Sequence, residues 1–175
     1  ISHHTKQDIL KLIDIDPDKI KVIHLAASMQ AVESKAVELA PKRFILFVGE
    51  RKGYKNFISL AEAFAGIKDS VSDVHLFCAG GGAFNPDETK LISELKIGNR
   101  IFQQGVSDSE LAWAYKQAEC FVFPSLYEGF GIPILESMGS GTLTILSDRS
   151  CFPEIAKQAA VYFKSVNDLK DIFSL

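Results

Sequence analysis

Two glutamates, Glu128 and Glu136, stand eight positions apart in "YEGFGIPILE", with Gly129, Phe130, Gly131 and Pro133 between them. A helix opening near Gly131 leaves its first N–H groups free and puts the positive end of its dipole at that point. Pro133 fits the first turn, where its missing N–H costs nothing. Glu128 at this mouth has an ordinary role too, since a carboxylate near a helix N-terminus is favourable by about 0.3–1 kcal/mol. Glu136 lies five residues beyond Gly131, about 7.5 Å along the axis at ~1.5 Å per residue. Ile134, Leu135 and Met138 mark the core stripe and leave Glu136 at its margin, where a plain surface residue is the ordinary reading. A ligand site at a helix mouth and a pair of solvated charges both stay open on these residues alone.

Two further stretches offer chemistry. In "VGERKGYKN", Arg51, Lys52 and Lys55 cluster beyond a strand end, with Gly49 and Gly53 allowing tight turns. Cations there suit a diphosphate, because arginine binds two phosphate oxygens in a fork; a solvated basic loop is the alternative. "AGGGAF" carries Gly80, Gly81 and Gly82, whose backbone N–H groups could face an anion. It lacks the spacing of a dinucleotide fingerprint and the Lys-Ser/Thr of a P-loop, so a plain turn bringing backbone close to a ligand serves as well.

The elements that must position these residues are legible as alternation. "KVIHLAA", "RFILFVG", "VHLFCAG", "RIFQQG", "CFVFPS", "LTILSD" and "AVYF" read as seven strands, several apolar on successive residues, as strands covered on both faces are. "KNFISLAEAFAGI", "DETKLISELK", "SDSELAWAYKQA" and "IPILESMGS" carry apolar residues at helical spacing. "SDSE" from Ser107 fits a capping box, and "NPD" from Asn85 puts a proline after a capping asparagine. The pattern predicts an α/β domain on a parallel sheet with helices on both faces and right-handed crossovers. In such sheets ligands bind beyond the carboxyl ends of the strands. The basic loop, the glycine run, "GVSDSE" and "SLYEGFG" all fall there.

The 175 residues fit one domain with a real core. A hydrophobic content of 47%, a charged content of 23% and a net charge of -3 describe an ordinary globular chain and give no reason to expect nucleic acid. No apolar run approaches a bilayer span and no secretion signal is read at the N-terminus. Three cysteines, with Cys78 and Cys120 inside strand-like runs, predict buried thiols and a reducing, cytoplasmic setting. The abrupt opening at Ile1 and the helix-like close "DLKDIFSL" lead us to expect a domain excised from a longer protein.

The carboxylate, seven intervening residues and second carboxylate, with Gly-Phe-Gly and a proline between them, resemble the signature of retaining glycosyltransferase family 4. The chain is similar to the C-terminal, nucleotide-sugar-binding half of a two-domain GT-B enzyme over nearly its whole length. "VGERKGYKN" resembles that family's diphosphate loop, "QQGVSDSEL" its loop near the base, "FPEIAKQAAVYF" its closing proline-glutamate segment, and "ISHHTKQDI" its crossing from the first domain. The resemblance implies that Arg51 and Lys55 (or Lys52) neutralise the donor diphosphate and that Glu136 accepts from the ribose hydroxyls. It implies that Glu128 faces the sugar, that backbone at Gly129, Phe130 and Gly131 holds the sugar hydroxyls, and that Gly81 approaches the donor. It also implies that Val106 offers its backbone to the base. Glu154 is read as a cap of its own helix.

The activity implied is transfer of a sugar, of the mannosyltransferase type in polysaccharide biosynthesis, from a nucleoside diphosphate to a glycan or lipid-linked acceptor. The isolated domain is expected to be inactive without its N-terminal acceptor domain. No cofactor is implied beyond the donor, and peripheral membrane association of the full-length protein is left open. A sugar-nucleotide epimerase and a non-catalytic nucleotide-binding module are the rival readings. No metal is expected: "DIDPD" from Asp14 to Asp18 reads as a solvated turn, and the histidines and cysteines lack zinc-ligand spacing.

Overall fold

Strands here are short runs of aromatic and branched residues, and helices start where a polar side chain can cap them. The computed structural model describes residues 1–27 and 32–174. β1 (Phe44–Val48), β2 (His75–Ala79), β3 (Ile101–Gln104), β4 (Cys120–Phe123), β5 (Thr144–Ser147) and β6 (Val161–Phe163) form one parallel sheet in the order β3-β2-β1-β4-β5-β6. The helices are α1 (His3–Leu12), α2 (Phe57–Ile67), α3 (Pro86–Glu94), α4 (Asp108–Gln117), α5 (Ile132–Gly139), α6 (Phe152–Ala156) and α7 (Val166–Phe173).

Successive strand residues point to opposite faces, so a run that is apolar throughout needs cover on both. Ile45, Phe47, Leu76, Cys78 and Val122 pack on one face with Phe57, Leu60 and Phe64 of α2, Ile92 of α3 and Leu169 of α7. Phe44, Leu46, Phe77, Phe121 and Phe123 pack on the other with Ala112 and Tyr115 of α4, Ile134 of α5 and Phe152 of α6. The face changes because the winding direction changes. The chain runs outward from β1 to β3, returns to β4 and runs outward the other way, and right-handed crossovers then put α4, α5 and α6 on the opposite side, while α7, after the last strand, returns to pack on the first face. Between β1 and β4, paired through Ile45–Cys120 and Leu46–Phe121, lies the topological switch point.

The two expected caps form. Asn85 and Glu88 make a reciprocal capping box with Pro86 in the first turn of α3, and Ser107 and Glu110 do the same for α4. The expectation of seven strands is corrected to six among the described residues, because "KVIHLAA" at 21–27 joins no ladder. Ile23 is 75% exposed and Leu25 39%, so this run is apolar without being covered, and apolar content alone does not recruit a segment to a sheet. Cys78, Cys120 and Cys151 are all buried free thiols, and burial pushes the Cys78 thiol up to about 12. Among the described residues no helix is long and apolar enough to cross a membrane.

Candidate active site

At the switch point the loops after β1 and β4 are stitched together. Asn56 adopts a left-handed conformation (φ 54°) and its Nδ2 donates to the carbonyl of Pro124 at 3.2 Å. The Leu126 N–H donates to the Tyr54 carbonyl at 2.7 Å. Lys55 closes a single 3₁₀ turn here, Gly53–Lys55, and its Nζ lies 2.7 Å from Glu128 Oε1. Both side chains are mostly covered, at 19% and 15% exposure, and the Lys55 ammonium also sits 5.2 Å from the centre of the Phe123 ring. Two residues implicated separately by the sequence therefore meet as an ion pair.

The turn that carries Glu128 is held from two sides. The Glu128 N–H donates to Ser150 Oγ at 3.0 Å, the Ser150 hydroxyl donates to the Glu128 carbonyl at 2.7 Å, and the Cys151 thiol donates to the carbonyls of Glu128 and Phe130. From the other side, the hydroxyls of Ser2 and Thr5 donate to the Gly129 carbonyl at 2.7 and 3.1 Å. Gly131 needs its φ of +85°, and a Cβ there would come within 2.9 Å of Ile134 Cδ1. Phe130 is buried against the His24 ring. Ser2, Thr5, Ser150 and Cys151 are supports that sequence reasoning missed, because they stand 21 to 127 positions away from the turn they hold.

α5 starts from Gly131 with no side-chain cap; Pro133 carries no N–H and the Ile134 N–H turns back to the Gly131 carbonyl at 2.9 Å, which leaves the Ile132 N–H to face outward from the first turn. Glu136 is half-buried, one turn and a half inside, and its Oε2 accepts from the Tyr115 hydroxyl at 3.0 Å. Burial raises the Glu136 carboxyl above the usual carboxylate range, Tyr115 pulls it back down, and Asp108 adds a smaller upward push. Beneath it, the hydroxyls of Ser137 and Thr144 share a buried hydrogen bond of 2.8 Å that fastens α5 to β5. Val106 stands half-buried after β3, next to Ser107, which caps α4.

Arg51 departs from expectation. Its side chain is 1% exposed and turns into the protein, with Nε 3.0 Å from Glu88 Oε1. Nη1 donates to the Gly80 carbonyl and Nη2 to those of Gly82 and Ala83, while the guanidinium lies 4.7 Å from the centre of the Phe84 ring. The glycine run therefore offers carbonyls to an arginine. Gly81 permits this, because a Cβ there would stand 2.6 Å from the Gly49 carbonyl and 2.7 Å from Arg51 Nη1. Arg51 and Gly81 join the loops after β1 and β2, and the arginine has no arm extended into the crevice.

Glu154 also differs from its reading. Its two oxygens accept from the backbone N–H groups of His3 and His4, at 2.8 and 3.1 Å, so it caps α1 and not its own helix. His24 Nε2 lies 2.8 Å from the same carboxylate. His3, His24 and Glu154 thereby bring three potential ligand atoms within 4.8 Å of one another, a grouping that no local spacing reveals because it spans the chain. Asp16 of "DIDPD" accepts from the Asp18 N–H within an exposed turn.

The profile of the family described as "Glycosyl transferases group 1" matches residues 30–172. The chain belongs to that family. Among curated relatives, the O-antigen chain mannosyltransferase RfbU of Salmonella typhimurium is 29% identical over 163 residues, covering 93% of this chain and 45% of the relative. The MMP alpha-(1->4)-mannosyltransferase of Mycolicibacterium hassiacum is 30% identical over 156 residues, covering 89% of this chain and 38% of its own. The chain spans less than half the length of these relatives. Among solved structures, Anabaena HepE in complex with UDP and glucose matches with a TM-score of 0.82 at 16% identity, over 98% of this chain and 50% of that one. At such identity the likeness carries the fold, which is the Rossmann-like fold of GT-B glycosyltransferases.

Proposed function

We propose that this chain is the donor-binding domain of a retaining glycosyltransferase, holding a nucleoside-diphosphate sugar for transfer to an acceptor hydroxyl. The observation that carries the reading is the meeting of Lys55 and Glu128 at the switch point, with Glu136 on the helix that opens beside them. Lys55 is the cation placed to meet the diphosphate as the leaving nucleotide gains charge, and the uncapped start of α5 adds its dipole. Arg51 supports that loop from behind. Glu136 accepts from the ribose, Val106 backbone lies toward the base, and the Gly129–Gly131 backbone and Glu128 lie toward the sugar. An oxocarbenium-like transition state is expected at the anomeric carbon, as at other glycosidic centres. No divalent metal is required in this proposal, because lysine and helix already bring positive charge to the phosphates.

The kinship with mannosyltransferases favours a mannosyl donor and a glycan or lipid-linked acceptor in polysaccharide assembly. A GT-B cleft needs a second wall to hold reacting atoms ~3–3.5 Å apart, so this chain alone is expected to bind donor without transferring its sugar. Cytoplasmic location belongs to the same proposal. Calorimetric titration with UDP, GDP and ADP is the test. One of them should bind with a thermal shift, and no heat from any at millimolar concentration overturns the reading.

A further inference from the structure

Tyr115 is the largest polar side chain in the core, fully buried in the layer between α4 and the sheet. Phenylalanine would pack there as well, edge-to-face against Phe121 at 5.4 Å, so the hydroxyl calls for its own explanation. Side chains of a helix lean toward its N-terminus, which is the ligand end of this sheet. The ring therefore carries its hydroxyl up from the later part of α4 toward the crevice, where it meets one oxygen of Glu136 at 3.0 Å. A phenol that donates to Oε2 fixes the carboxylate plane and leaves Oε1 without a protein donor among the described contacts. Helix α5 cannot easily shift to undo this, since Ser137 is locked to Thr144 one residue further on.

We infer that Tyr115 is a positioning residue: through its hydroxyl it holds Glu136 in the orientation that receives the ribose hydroxyls. The inference rests on the donor-site reading above. It differs from a structural role, in which Glu136 merely satisfies a buried phenol, by what each predicts for a nucleotide without ribose hydroxyls. The charged and titratable groups bearing on Glu136 are Tyr115 and Asp108 of α4, and both enter the pH arm of the test.

The experiment compares the wild-type chain with Tyr115→Phe by calorimetry, using whichever of UDP, GDP or ADP binds and the 2′,3′-dideoxy form of the same nucleotide. With the ribonucleotide, Tyr115→Phe should bind about tenfold more weakly, the scale of one hydrogen bond to a charged group. With the dideoxy nucleotide the two proteins should bind alike, which also shows that the variant is folded. The acid limb of ribonucleotide binding should move to higher pH in the variant, because Glu136 loses the donor that favours its charged form. Equal ribonucleotide affinity, or equal weakening of ribo and dideoxy forms, overturns the positioning role while leaving the donor site intact. If the wild-type chain binds none of the three nucleotides, the donor-site reading falls first and this inference with it.

Discussion

Lys55 Nζ and Glu128 Oε1 sit 2.7 Å apart across the switch point, so the cation of one loop is neutralised by the carboxylate of the other. On the donor-site proposal, a diphosphate competes with Glu128 for that ammonium. Glu128→Gln should therefore tighten a bare nucleoside diphosphate by roughly two- to fivefold, the worth of a partly exposed ion pair. The same substitution should weaken the nucleotide sugar, which loses its sugar contact. Paired titrations with the diphosphate and its sugar form check this, and weakening of both by one factor counts against the split.

Lys55→Ala should weaken the diphosphate by roughly ten- to a hundredfold, the range for hydrogen bonds to charged groups, and spare the free nucleoside. Raising the salt should shrink the difference, since screening weakens the interaction being removed. Isothermal titration at low and high ionic strength measures both effects. Equal loss for nucleoside and diphosphate points to a folding defect.

Arg51 is predicted to act on stability first. Removing it strands Glu88, whose side chain is only 11% exposed, and breaking a buried pair this way costs about 3–5 kcal/mol. Arg51→Ala should lower the denaturation midpoint accordingly, and Arg51→Met with Glu88→Leu should recover most of it. Glu88→Ala, which touches no phosphate, should be nearly as damaging. A stable Arg51→Ala chain with weakened diphosphate binding would restore the direct role that the sequence suggested.

Glu154 gives a pH dependence. Burial raises its carboxyl, but the N–H groups of His3 and His4 and the His24 ring outweigh that and hold it below the usual range. A carboxylate with a depressed native pKa contributes stability above its unfolded value, about 4.3, and loses it as pH falls through the lower native value. The gap in melting temperature between wild type and Glu154→Ala should be full at pH 7 and close below about pH 4. A gap constant across that range sinks the assignment.

Much of this was legible from local rules. Six of the seven apolar runs and the boxes at Asn85 and Ser107 are short-range signals whose predicted elements formed. The carboxylate motif was legible because Gly131 and Pro133 declare a helix mouth beside Glu128. What failed is what depends on partners far along the chain. Arg51 read as a free cation because nothing nearby reveals Glu88, and Glu154 looked like a cap for the helix it begins because its true partners are His3 and His4. Ile23 and Leu25 read as strand because a sequence shows that a residue is apolar and not whether anything covers it.

α1 has no helical residue in either core, yet Ser2 and Thr5 at its start hold the Gly129 carbonyl. Amide exchange follows local opening, and opening is easiest where few apolar contacts resist it. The turn at Glu128 is thus braced on one side by the link from β5 to α6, through Ser150 and the buried Cys151, and on the other by a helix with no buried residue of its own. Deuterium should enter α1 well before the strands, and the protection of the Gly129–Gly131 amides should follow that of α1. On the donor-site proposal, stiffening or freeing α1 should therefore tune the turn that carries Glu128 from the periphery of the fold, through Ser2 and Thr5 alone.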